Sequence, residues 1–211
     1  MPVTVIEYFY SAHSAYAYLG SARFSEIAAA AGRTIEHRPM DLERVVTATG
    51  PGTHNRRTPE RAAFFSGRQI ERWAEYRSAP VADGFPTRHW EDMSLANGTL
   101  VAAIDRDGDI DRLAHRMLES HWRDNADLTD PEILAGLAAE AGFDPASLLE
   151  AARSPAAQAA YQTNTADAIE RSVFGSPTYF VDGDMFYGQD HLDLVARALE
   201  KPFAGIWPPN A

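Results

Sequence analysis

The chain has 211 residues, 45% of them hydrophobic, which is enough to bury a sizeable core as one domain and too apolar for a disordered chain. Its 19 Lys and Arg against 30 Asp and Glu give a net charge of -11, so the surface repels nucleic acid and anionic lipid. Cysteine is absent, which excludes disulfides, thiolate metal sites and cysteine nucleophiles and points to the cytoplasm.

The start, MPVTVIEYFY, lacks the pattern of a signal peptide, and no stretch approaches the ~20 apolar residues of a membrane span. Val3 to Phe9 reads as a buried strand. Ser11 follows at the place of a helix N-cap, and Tyr16, Gly20, Phe24, Ile27 and Ala31 keep helical spacing up to a stop at Gly32. TIEHRPM, 34 to 40, reads as a second strand, parallel to the first.

The middle of the chain is helical. Ala63, Gly67, Ile70, Trp73 and Ala74 share one helical spacing; Ile110, Leu113, Ala114, Met117, Leu118 and Trp122 share another. Thr129 and Glu132 make a capping box around Pro131, ahead of an apolar face that runs from Ile133 to Ala141 and stops at Gly142. Asp144-Pro145 and Ser154-Pro155 repeat the cap-then-proline start for two more helices. Strand character returns in PTYFVDGDMFYG, 177 to 188, with Asp182-Gly183 as a two-residue hairpin turn, and Leu192, Val195, Ala198 and Leu199 mark a last helix. The order is that of an α/β, thioredoxin-like core, residues 1–41 and 174–211, with a large all-helical insertion, 42–173.

In such a core the first strand delivers the chain to a helix N-terminus, whose free N–H groups and dipole favour an anion. There a redox protein would place two cysteines, and this chain has Ser11-Ala12-His13-Ser14. A serine forms no useful thiolate, so thiol-disulfide exchange is excluded and the thiol must come with a ligand, to which Ser11 can donate a hydrogen bond. FGSPTYF, 174 to 180, supplies the other half: a cis Ser176-Pro177 bond turns the Ser176 backbone toward an extended, peptide-like ligand. The expected cofactor is a cysteine-containing peptide.

Other features read as structural. Ser14 is a solvated first-turn residue; Tyr8, Tyr10, Tyr16 and Tyr18 are core or pocket wall, with Tyr10 or Tyr16 able to face a substrate. Trp73, Trp90 and Trp122 are packing residues, and His13 is either pocket wall or a proton-transfer group. His115 and His121 fall off one helical face, which argues against a metal site. Asp105, Asp107, Asp109 and Asp111 lack the twelfth-position glutamate of a calcium loop and read as a helix-capping turn.

Three stretches resemble the 2-hydroxychromene-2-carboxylate isomerase family, within the DsbA-like and kappa-class glutathione transferase group: FYSAHSAYAYLG, RPMDLERVVTATG and, most specifically, VFGSPTYFVDGDMFYGQDHLDLVARAL. The resemblance covers nearly the whole chain. It implies a DsbA/kappa-type fold, a homodimer, glutathione as cofactor, and a small aromatic-derived unsaturated 2-oxo acid as substrate, while the net charge argues against a nucleic-acid or membrane partner. It also implies that Ser11 contacts the glutathione sulfur, that Ser176 and Pro177 pair with its cysteinyl part, and that Gln189 and Asp190 hold its γ-glutamyl end. Asn55 stands in for the family asparagine after ATG, whose match falls within Gly50 to Thr53. Substrate contacts are assigned to His13, Arg44 and Arg56, with Arg57 beside them. Two readings stand beside the isomerase: a kappa-type transferase that releases the adduct, and a non-catalytic binding module.

Overall fold

A computed structural model describes residues 5–50, 58–205 and 207–208. Four strands, β1 (Val5–Tyr10), β2 (Thr34–Pro39), β3 (Thr178–Val181) and β4 (Asp184–Tyr187), form one sheet in the order β2-β1-β3-β4. β1 and β2 are parallel, from Val5 opposite Thr34 to Tyr10 opposite Pro39, as the β-α-β reading requires. β3 runs antiparallel to both β1 and β4. At the hairpin turn Asp182 and Gly183 both take positive φ, 50° and 91°, which matches the strand twist.

Alternation along β1 splits the interior in two. Ile6, Tyr8 and Tyr10 join the larger core, where Tyr8 stacks on Tyr10 at 4.2 Å and on Tyr179 at 5.4 Å. Phe9 faces the other way, against Met40, Val45, Ala168, Val173 and Phe180. Glu7 shares that face, and Arg171 grips its carboxylate at 2.6 and 2.9 Å while lying 3.7 Å over the Phe180 ring.

Among the described residues the α-helices are α1 (Ala15–Ala30), α2 (Leu42–Thr49), α3 (Pro59–Ala63), α4 (Gln69–Arg77), α5 (Ser94–Ala103), α6 (Ile110–Asp124), α7 (Pro131–Glu140), α8 (Pro145–Ala152), α9 (Pro155–Glu170) and α10 (Leu192–Glu200). Asp144 and Ser154 cap α8 and α9 with Pro in the first turn, and Asp109 caps α6, as the spacing predicts. No helix among the described residues is long and apolar enough to cross a membrane.

The structure corrects several local readings. Ser14, not Ser11, caps α1: the Ser14 N–H donates to the Ser11 carbonyl at 3.0 Å, so the chain makes one more turn before the helix begins. Ser14 is buried, not solvated. Asp130, not Thr129, caps α7, because the Thr129 hydroxyl is already spent on Asp127 at 2.6 Å. The 63–74 spacing is broken by a π-turn at Phe64–Arg68, and burial on that stretch begins at Ile70. Trp90 is 62% exposed, although its ring also meets His89 and Phe85.

Candidate functional site

Ser11 directly follows β1 and is fully buried. Its backbone N–H donates to Ser176 Oγ at 3.2 Å, and the Ser14 hydroxyl donates to the Ser176 carbonyl at 3.1 Å while accepting the Ala17 N–H. The Ser176-Pro177 bond is cis, in keeping with the sequence reading, and is the link that carries the loop into β3. Ser11, Ser14 and Ser176 thus form one polar knot at the head of α1, joined across some 160 residues of chain. Its helix end supplies the electropositive surroundings that an anionic sulfur needs.

The Ser11 hydroxyl meets two side chains. Asn97 Nδ2 donates to it at 3.2 Å, and His13 Nδ1 lies 2.9 Å away. Asn97 comes from α5, is fully buried, and also accepts the Ala12 N–H at 2.9 Å and donates to Tyr161 Oη at 3.4 Å. Burial pushes the Tyr161 phenol well above its ordinary value, so it serves here as a neutral hydroxyl. Sequence reading missed Asn97. The available signal was a polar amide inside SLANGTLVAA, a segment otherwise made of small and apolar residues.

His13 is half-buried and pinned from several sides. Trp122 Nε1 donates to its carbonyl at 2.8 Å, and its ring stands edge-on to His89 at 5.0 Å and to His121 at 6.5 Å. Burial and the His121 ring push it down to about 4, so it is neutral near pH 7. Among the described residues, no group of three or more His, Cys, Asp or Glu is arranged to hold a metal ion.

At the far end of the site, Gly188 leads into a single 3-10 turn, Gln189–His191, that opens directly into α10. Gln189 is buried, and Arg77 donates to its side-chain oxygen at 3.2 Å and to its carbonyl at 3.3 Å. Arg77 itself lies over Trp73 and Tyr76, a position sequence reading did not single out. Gln189 Nε2 is buried without a hydrogen-bond partner among the described residues, and the Asp190 carboxylate is 57% exposed.

Ser11, His13, Ser176 and Pro177 therefore come together, with Gln189 and Asp190 at the start of the last helix. Arg44 does not join them: it is exposed, and its guanidinium donates to Gln162 on α9. Asn55, Arg56 and Arg57 lie outside the described residues. Tyr10 is fully buried, and its hydroxyl is hydrogen-bonded to His37 Nδ1 at 2.8 Å, which removes it from any substrate. Tyr16 donates to the Phe65 carbonyl at 2.6 Å.

The residues fit a bound cysteinyl peptide on three counts. Ser11 places a hydroxyl one turn ahead of the α1 cap, the cis Ser176-Pro177 bond sets the Ser176 backbone against that turn, and Gln189 Nε2 is an orphaned buried donor.

Comparison with known proteins gives a consistent picture. A family profile described as DSBA-like thioredoxin domain matches residues 5–200. The chain is 30% identical, over 92% of its length and 97% of the relative's, to a 2-hydroxychromene-2-carboxylate isomerase of Sphingobium xenophagum. It is 30% identical over 42% of each chain to the human glutathione S-transferase kappa 1. Among solved structures, a 2-hydroxychromene-2-carboxylate isomerase superposes with a TM-score of 0.78 at 24% identity, over 93% of this chain and 95% of the other.

Proposed function

The chain belongs to the DSBA-like thioredoxin family and, within it, to the family of 2-hydroxychromene-2-carboxylate isomerase; on that premise we propose that it is a glutathione-dependent cis-trans isomerase. Its substrate is 2-hydroxychromene-2-carboxylate or a related aromatic-derived unsaturated 2-oxo acid. The observation that carries the reading is a buried serine hydroxyl, in a chain without cysteine, held at the head of α1 against the cis Ser176-Pro177 loop. A redox domain of this fold needs a thiol there, and this site is built to receive one.

Ser11 donates its hydroxyl hydrogen to the cofactor sulfur, and the helix head adds electrostatic support. The Ser176 N–H takes the cysteinyl carbonyl, and Gln189 Nε2 and the Asp190 carboxylate hold the γ-glutamyl end, Asp190 pairing with its ammonium. Glutathione, when bound, supplies a thiolate that adds reversibly to the conjugated carbon of the substrate and frees rotation about the former double bond. Half-buried His13 and the Phe85 and Trp90 rings that meet His89 form an aromatic surround suited to a flat substrate.

The match to glutathione S-transferase kappa 1 favours one second reading, conjugation with release of the adduct. The two differ in whether glutathione is consumed. Calorimetric titration of glutathione into the parent protein, Ser11→Ala and Asp190→Ala tests the cofactor, followed by assays of unsaturated 2-oxo acids with and without it. Saturable binding weakened in both variants, with isomerisation that regenerates free glutathione, is the expected result. Absence of binding at millimolar glutathione would remove the cofactor and leave a binding module. Light scattering checks the homodimer that the resemblance implies.

A further inference from the structure

A serine hydroxyl has one hydrogen and two lone pairs, and what it offers a ligand depends on which of these its neighbours take. At Ser11 the first lone pair is settled by Asn97. The Ala12 backbone N–H, 2.9 Å from Asn97, can only donate, so the atom facing it is the amide oxygen and the atom facing Ser11 is the nitrogen, a donor at 3.2 Å.

The second neighbour is His13, whose Nδ1 sits 2.9 Å from Ser11 Oγ. Two arrangements satisfy that contact. Either Ser11 gives its hydrogen to His13 and turns a lone pair toward the ligand, or His13 gives its Nδ1 hydrogen to Ser11 and the serine hydrogen is left for the ligand. Only the second suits an anionic sulfur, since a lone pair aimed at a thiolate is repulsive.

The surroundings hold the His13 ring in place whichever arrangement it adopts. His121 Nδ1 lies 3.0 Å from the Ala126 carbonyl, which can only accept, so a neutral His121 carries its hydrogen on Nδ1 and accepts at Nε2. His89 Nδ1 therefore donates to His121 Nε2, at 3.1 Å. That directional chain fixes His89 as a wall against the His13 ring, and the Trp122 indole fixes the His13 backbone. Of the ionisable groups packed here, burial lowers both His13 and His121, which keeps them neutral.

We propose that, with a thiolate bound, His13 carries its hydrogen on Nδ1 and donates it to Ser11, so that Asn97 and His13 together fill both lone pairs of Ser11 and commit its only hydrogen to the sulfur. His13 and Asn97 are thus positioning residues. This deepens the glutathione reading above and rests on it. A hydroxyl with both lone pairs filled cannot accept an S–H, so the site distinguishes thiolate from thiol. On ionisation the S–H bond breaks and water takes the proton; His13 keeps the one hydrogen it had.

The experiment separates a donor from a base at position 13. Asparagine there supplies an N–H in place of Nδ1 and cannot take a proton; leucine supplies neither. At Asn97, Asn97→Asp keeps the acceptor for Ala12 and loses the donor to Ser11. Glutathione is titrated calorimetrically into the parent, His13→Asn, His13→Leu and Asn97→Asp, and the thiolate absorbance of the bound peptide is followed against pH. Circular dichroism reports the fold of each, and the two His13 variants suffice where Asn97→Asp fails to fold.

The expected result is a thiolate midpoint in His13→Asn close to the parent's, with His13→Leu and Asn97→Asp shifted upward by about one pH unit, a tenfold loss of thiolate. A shift in His13→Asn as large as in His13→Leu overturns the proposal in favour of a proton-accepting imidazole. An unchanged midpoint in His13→Leu overturns it as well. Failure of the parent to bind glutathione overturns both this inference and the reading beneath it, whereas binding with the wrong pattern of midpoints overturns this inference alone.

Discussion

Ser14 and Ser176, 162 residues apart in sequence, meet through a hydrogen bond from the Ser14 hydroxyl to the Ser176 carbonyl at 3.1 Å. The same hydroxyl caps α1, so one oxygen ties the start of that helix to the cis-proline loop. Ser14→Ala removes a cap worth about 1 kcal/mol and leaves a buried carbonyl unpaired at a cost of about 1–3 kcal/mol. The expected outcome is a lowered urea midpoint together with weaker glutathione binding, because the Ser176 backbone loses its anchor.

Ser11→Ala separates from it. Ser11 donates no cap, and the Asn97 amide it releases keeps both Ala12 and Tyr161. Activity is expected to fall by about 10²–10³ in kcat, the loss typical of one hydrogen-bond donor to a reacting anion. The thermal midpoint should move far less than in Ser14→Ala, and steady-state kinetics beside a melt check the contrast.

Acid should weaken the fold in a defined window. His13 is pushed down to about 4 in the folded protein, against ~6.5 for an unfolded histidine. Between those values the unfolded chain binds a proton that the folded chain refuses, so stability is fully present above about pH 6.5 and falls as the pH drops toward 4. His115 and His121 are lowered by burial and act with the same sign. The His13 share is about 3 kcal/mol. Urea midpoints measured across this range should decline in the parent and decline less in His13→Asn.

Gly20→Ala should destabilise, against the usual gain of about 1 kcal/mol for that change inside a helix. A Cβ at Gly20 meets Gln189 Cβ at 2.6 Å and the Tyr179 hydroxyl at 3.3 Å. The added methyl drives the Gln189 turn away from α1, so a lower melting temperature and a raised Kd for glutathione are expected together.

Away from the site, Tyr10, His37 and Asp111 form a hydrogen-bonded chain, with His37 Nε2 2.8 Å from the Asp111 carboxylate. His37→Phe strands the buried Tyr10 hydroxyl and should cost about 1–3 kcal/mol. Tyr10→Phe added to it removes the stranded group, and the double variant is expected to recover part of the loss in a urea double-mutant cycle.

Much of this protein was legible in local pattern. β1, the parallel β2, the Asp182-Gly183 hairpin and the Asp144 and Ser154 helix starts follow from alternation, turn chemistry and capping, which act over a few residues. The cis Ser176-Pro177 bond was legible only through the fold, since sequence alone leaves X-Pro bonds mostly trans. α5 escaped notice because it is buried on nearly every side and shows no apolar stripe, and Asn97 escaped with it. The shift of the α1 cap by three residues was equally hidden: Ser11 and Ser14 are chemically alike, and the choice between them turns on where Ser176 sits.

The sequence by itself determined that the chain has no thiol of its own, that its strands and helices follow a thioredoxin order, and that serines stand where that order needs its chemistry. Only the tertiary structure decided what those serines are bonded to. Asn97, Trp122 and Ser176 reach the Ser11-His13 turn from 85 to 165 residues away, and partners at such separations are set by how helices pack on the sheet, which local periodicity does not encode.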